Sequence, residues 1–196
     1  MTGGQPLVVV VTGSECTGKT TLARELAEWL GAPCSPEFAR EYVDRKGAVL
    51  SEGDVEPIAR GQAAAEDAAL EAASLGASPT AVKDTDLVST VVYARHYYGA
   101  CPAWIERAAA ARLGDLYLLL HPDVPWVADG LQRDRPAERA LLHDLFRQRL
   151  SAFGARIADI EGDWPVRQRL AFDAVRSLLA RSGPRHQRVN PGPGSA

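Results

Sequence analysis

Hydrophobic and polar positions alternate along the chain in two rhythms. Leu7-Val8-Val9-Val10-Val11 is an unbroken β-branched run of strand length, the pattern of a strand covered on both faces. Leu22, Leu26, Trp29 and Leu30 then recur at helical spacing, and Gly31 supplies a stop. Carried along the chain, the same reading predicts strands at 7–12, 33–36, 79–83, 115–120 and 156–160. It predicts helices at 18–30, 37–46, 54–74, 87–98, 102–112, 137–152 and 164–181. Strand and helix take turns, so the expected fold class is α/β, with a parallel five-stranded sheet and helices on both faces. The pattern fails after Ser182, where Pro184, Pro191, Pro193 and glycines take over. Residues 1–182 are therefore expected to form one domain and 183–196 a disordered tail.

Ligands of such a sheet sit at the carboxyl ends of its strands. Directly after the first strand stands Gly13-Ser14-Glu15-Cys16-Thr17-Gly18-Lys19-Thr20. This is G-x-x-x-x-G-K-T, the phosphate-binding loop of P-loop NTPases, in its required strand–loop–helix context. Its glycines let successive N–H groups point at phosphate oxygens. Lys19 would bridge the β- and γ-phosphates, Thr20 would hold Mg²⁺, and Thr21 reaches toward the α-phosphate. ATP with Mg²⁺ is the expected cofactor pair.

The later strands are followed by further candidates. Pro36-Glu37-Phe38-Ala39-Arg40-Glu41-Tyr42 opens a helix after the second strand. Glu37 there faces the phosphates and can accept the proton of an attacking hydroxyl, while Arg40 can hold substrate or the leaving phosphate. Asp84-Thr85-Asp86 follows the third strand. Asp84 comes first and is the better partner for the loop's Mg²⁺; Asp86 either caps the next helix or shares the site. Gln62 is a candidate amide for reading a ring, and Tyr93 and Tyr97, at i and i+4, share a face that offers a stacking platform. The segment 124–138 resembles a mobile lid. Arg133, Arg135 and Arg139, three arginines in seven residues, would close on phosphates and exclude water.

Composition narrows the function class. The 196 residues carry a net charge of −3, which argues against generic nucleic-acid binding. No apolar run approaches a membrane span of roughly 18 residues. The core strand begins at Leu7, so no signal peptide is expected. Cys16, Cys34 and Cys101 lack metal-ligand spacing and read as free thiols of a cytoplasmic protein. A GTPase switch needs an Asn-Lys-x-Asp motif, and the only asparagine is Asn190. A kinase for a small hydroxyl acceptor and a regulatory ATP-binding module both remain open, as does assembly into a homo-oligomer.

Pro36-Glu37-Phe38-Ala39-Arg40-Glu41-Tyr42, Asp84-Thr85-Asp86-Leu87, Tyr97-Tyr98-Gly99 and Pro125-Trp126-Val127-Ala128-Asp129-Gly130 follow the loop in this order. The series resembles the ribosylnicotinamide kinase domain of NadR-type proteins, from about Leu7 to Leu179. The resemblance implies a stand-alone P-loop kinase domain of the nucleoside and nucleotide kinase type, with a lid. It implies transfer of phosphate from ATP to the 5′-hydroxyl of nicotinamide riboside, giving nicotinamide mononucleotide for NAD synthesis. Glu37, Arg40, Asp84 and Asp86 would line the riboside and metal site, Tyr97 would stack on the nicotinamide ring, and Trp126 joins the expected substrate residues. Which of Glu37, Asp84 and Asp86 is the base stays open. Two departures stand out: Pro36 replaces a tryptophan found in some members, and Gln132 is inserted before Arg133.

Overall fold

The computed structural model describes residues 5–126 and 136–182. The elements in chain order are β1 (Leu7–Gly13), α1 (Lys19–Leu30), β2 (Cys34–Ser35), α2 (Phe38–Lys46), a 3₁₀ turn (Glu52–Asp54), α3 (Val55–Leu75), β3 (Thr80–Asp84) and α4 (Leu87–Tyr98). They continue as α5 (Ala103–Ala111), β4 (Leu116–Leu120), a 3₁₀ turn (Pro136–Glu138), α6 (Arg139–Ala152), β5 (Ile157–Ile160) and α7 (Trp164–Arg181).

The five strands form one parallel sheet in the order β2-β3-β1-β4-β5. β1 therefore lies at the centre, with β3 paired from Leu7↔Thr80 to Val11↔Asp84 and β4 from Val9↔Leu116 to Gly13↔Leu120. Strand side chains alternate between faces, which splits the core in two. Val8, Val10, Tyr117 and Leu119 pack under α3, α4, α5 and α6. Val9, Val11, Leu118 and Leu120 pack under α1 and α7. This is the expected architecture, a P-loop nucleotide-kinase-like sheet with both faces covered.

Two boundaries differ from the pattern-based expectation. The second strand shrinks from 33–36 to Cys34–Ser35. It is an edge strand between Pro33 and Pro36, and prolines have no N–H for the ladder. Helix α6 starts at Arg139 rather than 137, because Pro136-Ala137-Glu138 forms a 3₁₀ turn first. The tail 183–196 and most of the lid-like segment lie outside the described residues.

Candidate active site

The phosphate loop is shaped by crowding. Gly13 adopts φ 133° opposite Leu120, and a Cβ there would lie 2.7 Å from the Leu120 carbonyl oxygen. Gly18, at φ 89°, would drive a Cβ to 2.7 Å from the Trp164 ring. Any side chain at either position would push the loop off its strand or off α7. Within the loop, Thr17 Oγ1 and Lys19 Nζ both donate to the Ser14 carbonyl, at 2.9 and 2.8 Å. Thr21 is exposed at the start of α1.

Two guanidinium groups hold the loop from outside. Arg139, nearly buried at the start of α6, donates to the Cys16 carbonyl at 3.4 Å and to the Val124 carbonyl at 2.9 Å. Arg167 is completely buried and donates to the carbonyls of Thr17 (3.2 Å), His121 (2.9 Å) and Gly162 (2.7 Å). It also pairs with Asp123, and burial pulls its pKa below the usual value. Loop carbonyls that accept from outside leave the loop's N–H groups for an anion.

Asp84 ends β3 beside the loop. Burial and then the Glu37 charge push its carboxyl above the usual range, while a hydrogen bond to Thr20 and the charges of Lys19 and Arg40 pull it back. Its Oδ1 is buried and has no hydrogen-bond partner. A hydroxyl and a carboxylate with a spare oxygen are hard donors that suit Mg²⁺, so Thr20 and Asp84 fit the ion.

A cavity of about 360 Å³ opens from the loop, within the range of small-molecule sites. Lys19, Glu15, Glu37, Tyr93 and Tyr97 are among its lining residues. The two tyrosine rings lie parallel within 11°, with centroids 6.0 Å apart. Tyr97 is 38% exposed and Tyr93 hydrogen-bonds to Glu15. Val43, Val49, Leu50 and Ile58 supply the apolar wall.

Asp86 and Gln62 reach this cavity but are already engaged. Asp86 caps α4, accepting from Val88 N at 3.0 Å, and accepts from the Tyr117 hydroxyl at 2.5 Å. Burial and the neighbouring Glu66 raise its pKa to about 6. Gln62 Oε1 accepts from Phe38 N at 3.0 Å, and its amide nitrogen faces the Thr85 carbonyl at 3.5 Å. Both residues line the cavity while bonded to neighbours in the protein. Trp126 lies against Arg139, 5.8 Å from ring centre to guanidinium, and not among the cavity-lining residues. Arg133 and Arg135 lie outside the described residues.

Sequence reasoning missed the polar network behind this wall. Lys83 and Glu66 form a buried ion pair at 2.7 Å, and Glu66 also accepts from Leu87 N at 3.1 Å. Both had a signal. Lys83 interrupts an apolar strand, and Glu66 sits on the α3 face that buries Ile58, Ala59, Gln62, Ala69 and Ala73. Arg167 likewise occupies the buried stripe of α7 with Ala171, Val175 and Leu178. A charge on an apolar stripe implies a buried partner.

The family model described as "AAA domain" matches residues 8–167. The trifunctional NAD biosynthesis/regulator protein NadR of Escherichia coli (strain K12) is 33% identical over 180 residues, which is 87% of this chain and 42% of that protein. A crystal structure of NadR in complex with NR superposes with a TM-score of 0.77 at 29% identity, covering 95% of this chain and 54% of that one. A NadR structure in complex with NAD and AMP-PNP gives 0.73 at 28% identity, over 88% and 49%. The chain spans about half the length of these relatives. By its phosphate loop, its sheet and this match, the chain belongs to the AAA domain family and is homologous to part of NadR.

Proposed function

We propose that this chain is an ATP-dependent kinase that phosphorylates the 5′-hydroxyl of nicotinamide riboside to give nicotinamide mononucleotide. The observation that carries the reading is one cavity lined by Lys19 of the phosphate loop, by Glu37 and by Tyr97. Nicotinamide riboside bears a flat cationic ring. Aromatic faces at Tyr93 and Tyr97 and the carboxylates of Glu15 and Glu37 complement that charge and shape. The NadR structures with NR and with AMP-PNP support the same pair of ligands.

In the proposed reaction the loop N–H groups and Lys19 hold the phosphates of ATP. Thr20 and Asp84 would hold Mg²⁺, whose charge would offset that of the β- and γ-phosphates. Tyr97 stacks on the nicotinamide ring and Arg40 contacts the riboside side of the site. Glu37 takes the proton as the 5′-oxygen bonds to the γ-phosphorus. The bond from that phosphorus to the bridging oxygen breaks and ADP leaves. Arg133, Arg135 and Arg139 would stabilise the charge on the transferring group. Asp86, with both oxygens engaged, supports α4 rather than acting as the base. The setting is the cytoplasm, in keeping with three free thiols.

Phosphorus NMR of the product tests the site of transfer. The expected product is a phosphomonoester whose phosphorus couples to the two protons of one carbon, as attachment at the 5′-methylene requires. Inorganic phosphate alone, or a phosphate coupled to one proton, would overturn the reading.

A further inference from the structure

A second cluster of ligand-bearing side chains lies on the other side of β1 from Asp84. His121 follows β4, His143 sits on α6 and Asp159 on β5, with one ligand atom from each within 4.8 Å of the others. We propose that His121, His143 and Asp159 form a binding site for a divalent transition metal of the zinc class, separate from the Mg²⁺ position at Thr20 and Asp84.

The donor set supports this. Two imidazoles and a carboxylate are the borderline ligands that favour zinc-class ions over Mg²⁺, and three protein ligands leave a fourth position for water. His143 is only 6% exposed, and its Nδ1 is buried with no hydrogen-bond partner. The Leu120 backbone lies beside its ring. A buried ring nitrogen with no protein partner is left for a metal.

The other two ligands face it. The imidazole rings of His121 and His143 lie 4.3 Å apart between centroids. His121 Nε2 is 3.0 Å from Asp159 Oδ1, and its Nδ1 is 3.8 Å from Glu161. Ligands of a tetrahedral zinc-class ion stand about 3.3 Å apart. His121 and Asp159 are both partly exposed and can swing the remaining distance. Arg147 opposes the site, since its guanidinium pairs with both oxygens of Asp159; a bound cation must displace it. The cluster is also one guanidinium away from the phosphate loop, because Arg167 donates to the carbonyls of both His121 and Thr17.

The test is Zn²⁺ binding by the untagged full chain in excess Mg²⁺, read by competition with a chromogenic chelator. One equivalent should bind. His143→Ala should weaken binding roughly ten-fold or more, with circular dichroism confirming that the variant is folded. Arg147→Gln should tighten binding, because it removes the competing cation; a cluster that merely ties β4, β5 and α6 together would not respond this way. Co²⁺ substitution should give d–d bands without a thiolate charge-transfer band. No bound equivalent, a thiolate band, or equal affinity in His143→Ala and the parent would overturn the proposal.

Discussion

Lys19 Nζ donates to the carbonyl oxygen of Ser14 at 2.8 Å, so the lysine lies folded across its own phosphate loop. The ammonium is thereby held beside the cavity that Lys19, Glu15 and Glu37 line. Lys19→Ala should lower kcat/KM by at least roughly 100-fold, since phosphate charge goes uncompensated in the transition state. Steady-state kinetics check this, and near-normal turnover would remove the loop from the mechanism.

Glu37, the proposed base, opens α2, lines the cavity and acts electrostatically on Asp84. Glu37→Gln should reduce kcat by about 10²- to 10⁴-fold while ATP affinity changes little. An unchanged kcat would pass the base role to Asp84.

Tyr97 is the exposed member of a parallel tyrosine pair. Tyr97→Ala should raise KM for the acceptor roughly ten-fold, the loss of about 1–3 kcal/mol of stacking, and leave KM for ATP alone. Equal loss for both substrates would make the residue structural.

The Lys83–Glu66 pair is a stability matter. Lys83→Met leaves buried Glu66 with only the longer 3.5 Å contact to Arg112 Nε as counter-charge and should cost about 3 kcal/mol. The double variant Lys83→Met with Glu66→Gln should recover part of that loss, because the uncompensated charge is gone. Chemical denaturation of the two variants checks the order. A single variant as stable as the parent would contradict the pairing.

Asp86 gives a pH prediction. Its folded pKa is raised from 3.8 to about 6, so between these values the folded protein binds more protons than the unfolded chain. The contribution of this group is then greatest at low pH and is lost as pH rises from about 3.8 through about 6. Asp86→Asn removes that dependence, so the melting temperature of the parent should fall relative to Asp86→Asn across this window. Parallel melting curves at all pH values would contradict it.

The sheet, the phosphate loop and the acids at the strand ends were legible in the sequence because each depends on local order: a strand, a turn, a helix start. Glu37 and Asp84 could be picked out by position alone. The partners of Asp86 and Gln62 could not, since their hydrogen bonds reach Tyr117, 31 residues on, and Phe38, 24 residues back. Arg167 contacts the loop across 150 residues. Such links depend on which strands are neighbours, and periodicity does not give strand order. What periodicity does show is the anomaly, a lysine in a buried strand and an arginine on a buried helix stripe, without naming the partner.

The central claim is that Lys19, Glu37 and Tyr97 serve one acceptor. ADP release in the presence of ATP and Mg²⁺ tests it directly, with nicotinamide riboside, the common ribo- and deoxyribonucleosides, their monophosphates, and no acceptor compared side by side. The account predicts strong stimulation by nicotinamide riboside and little by the rest. Stimulation by a different nucleoside, or ATP binding with no stimulation by any acceptor, would contradict it.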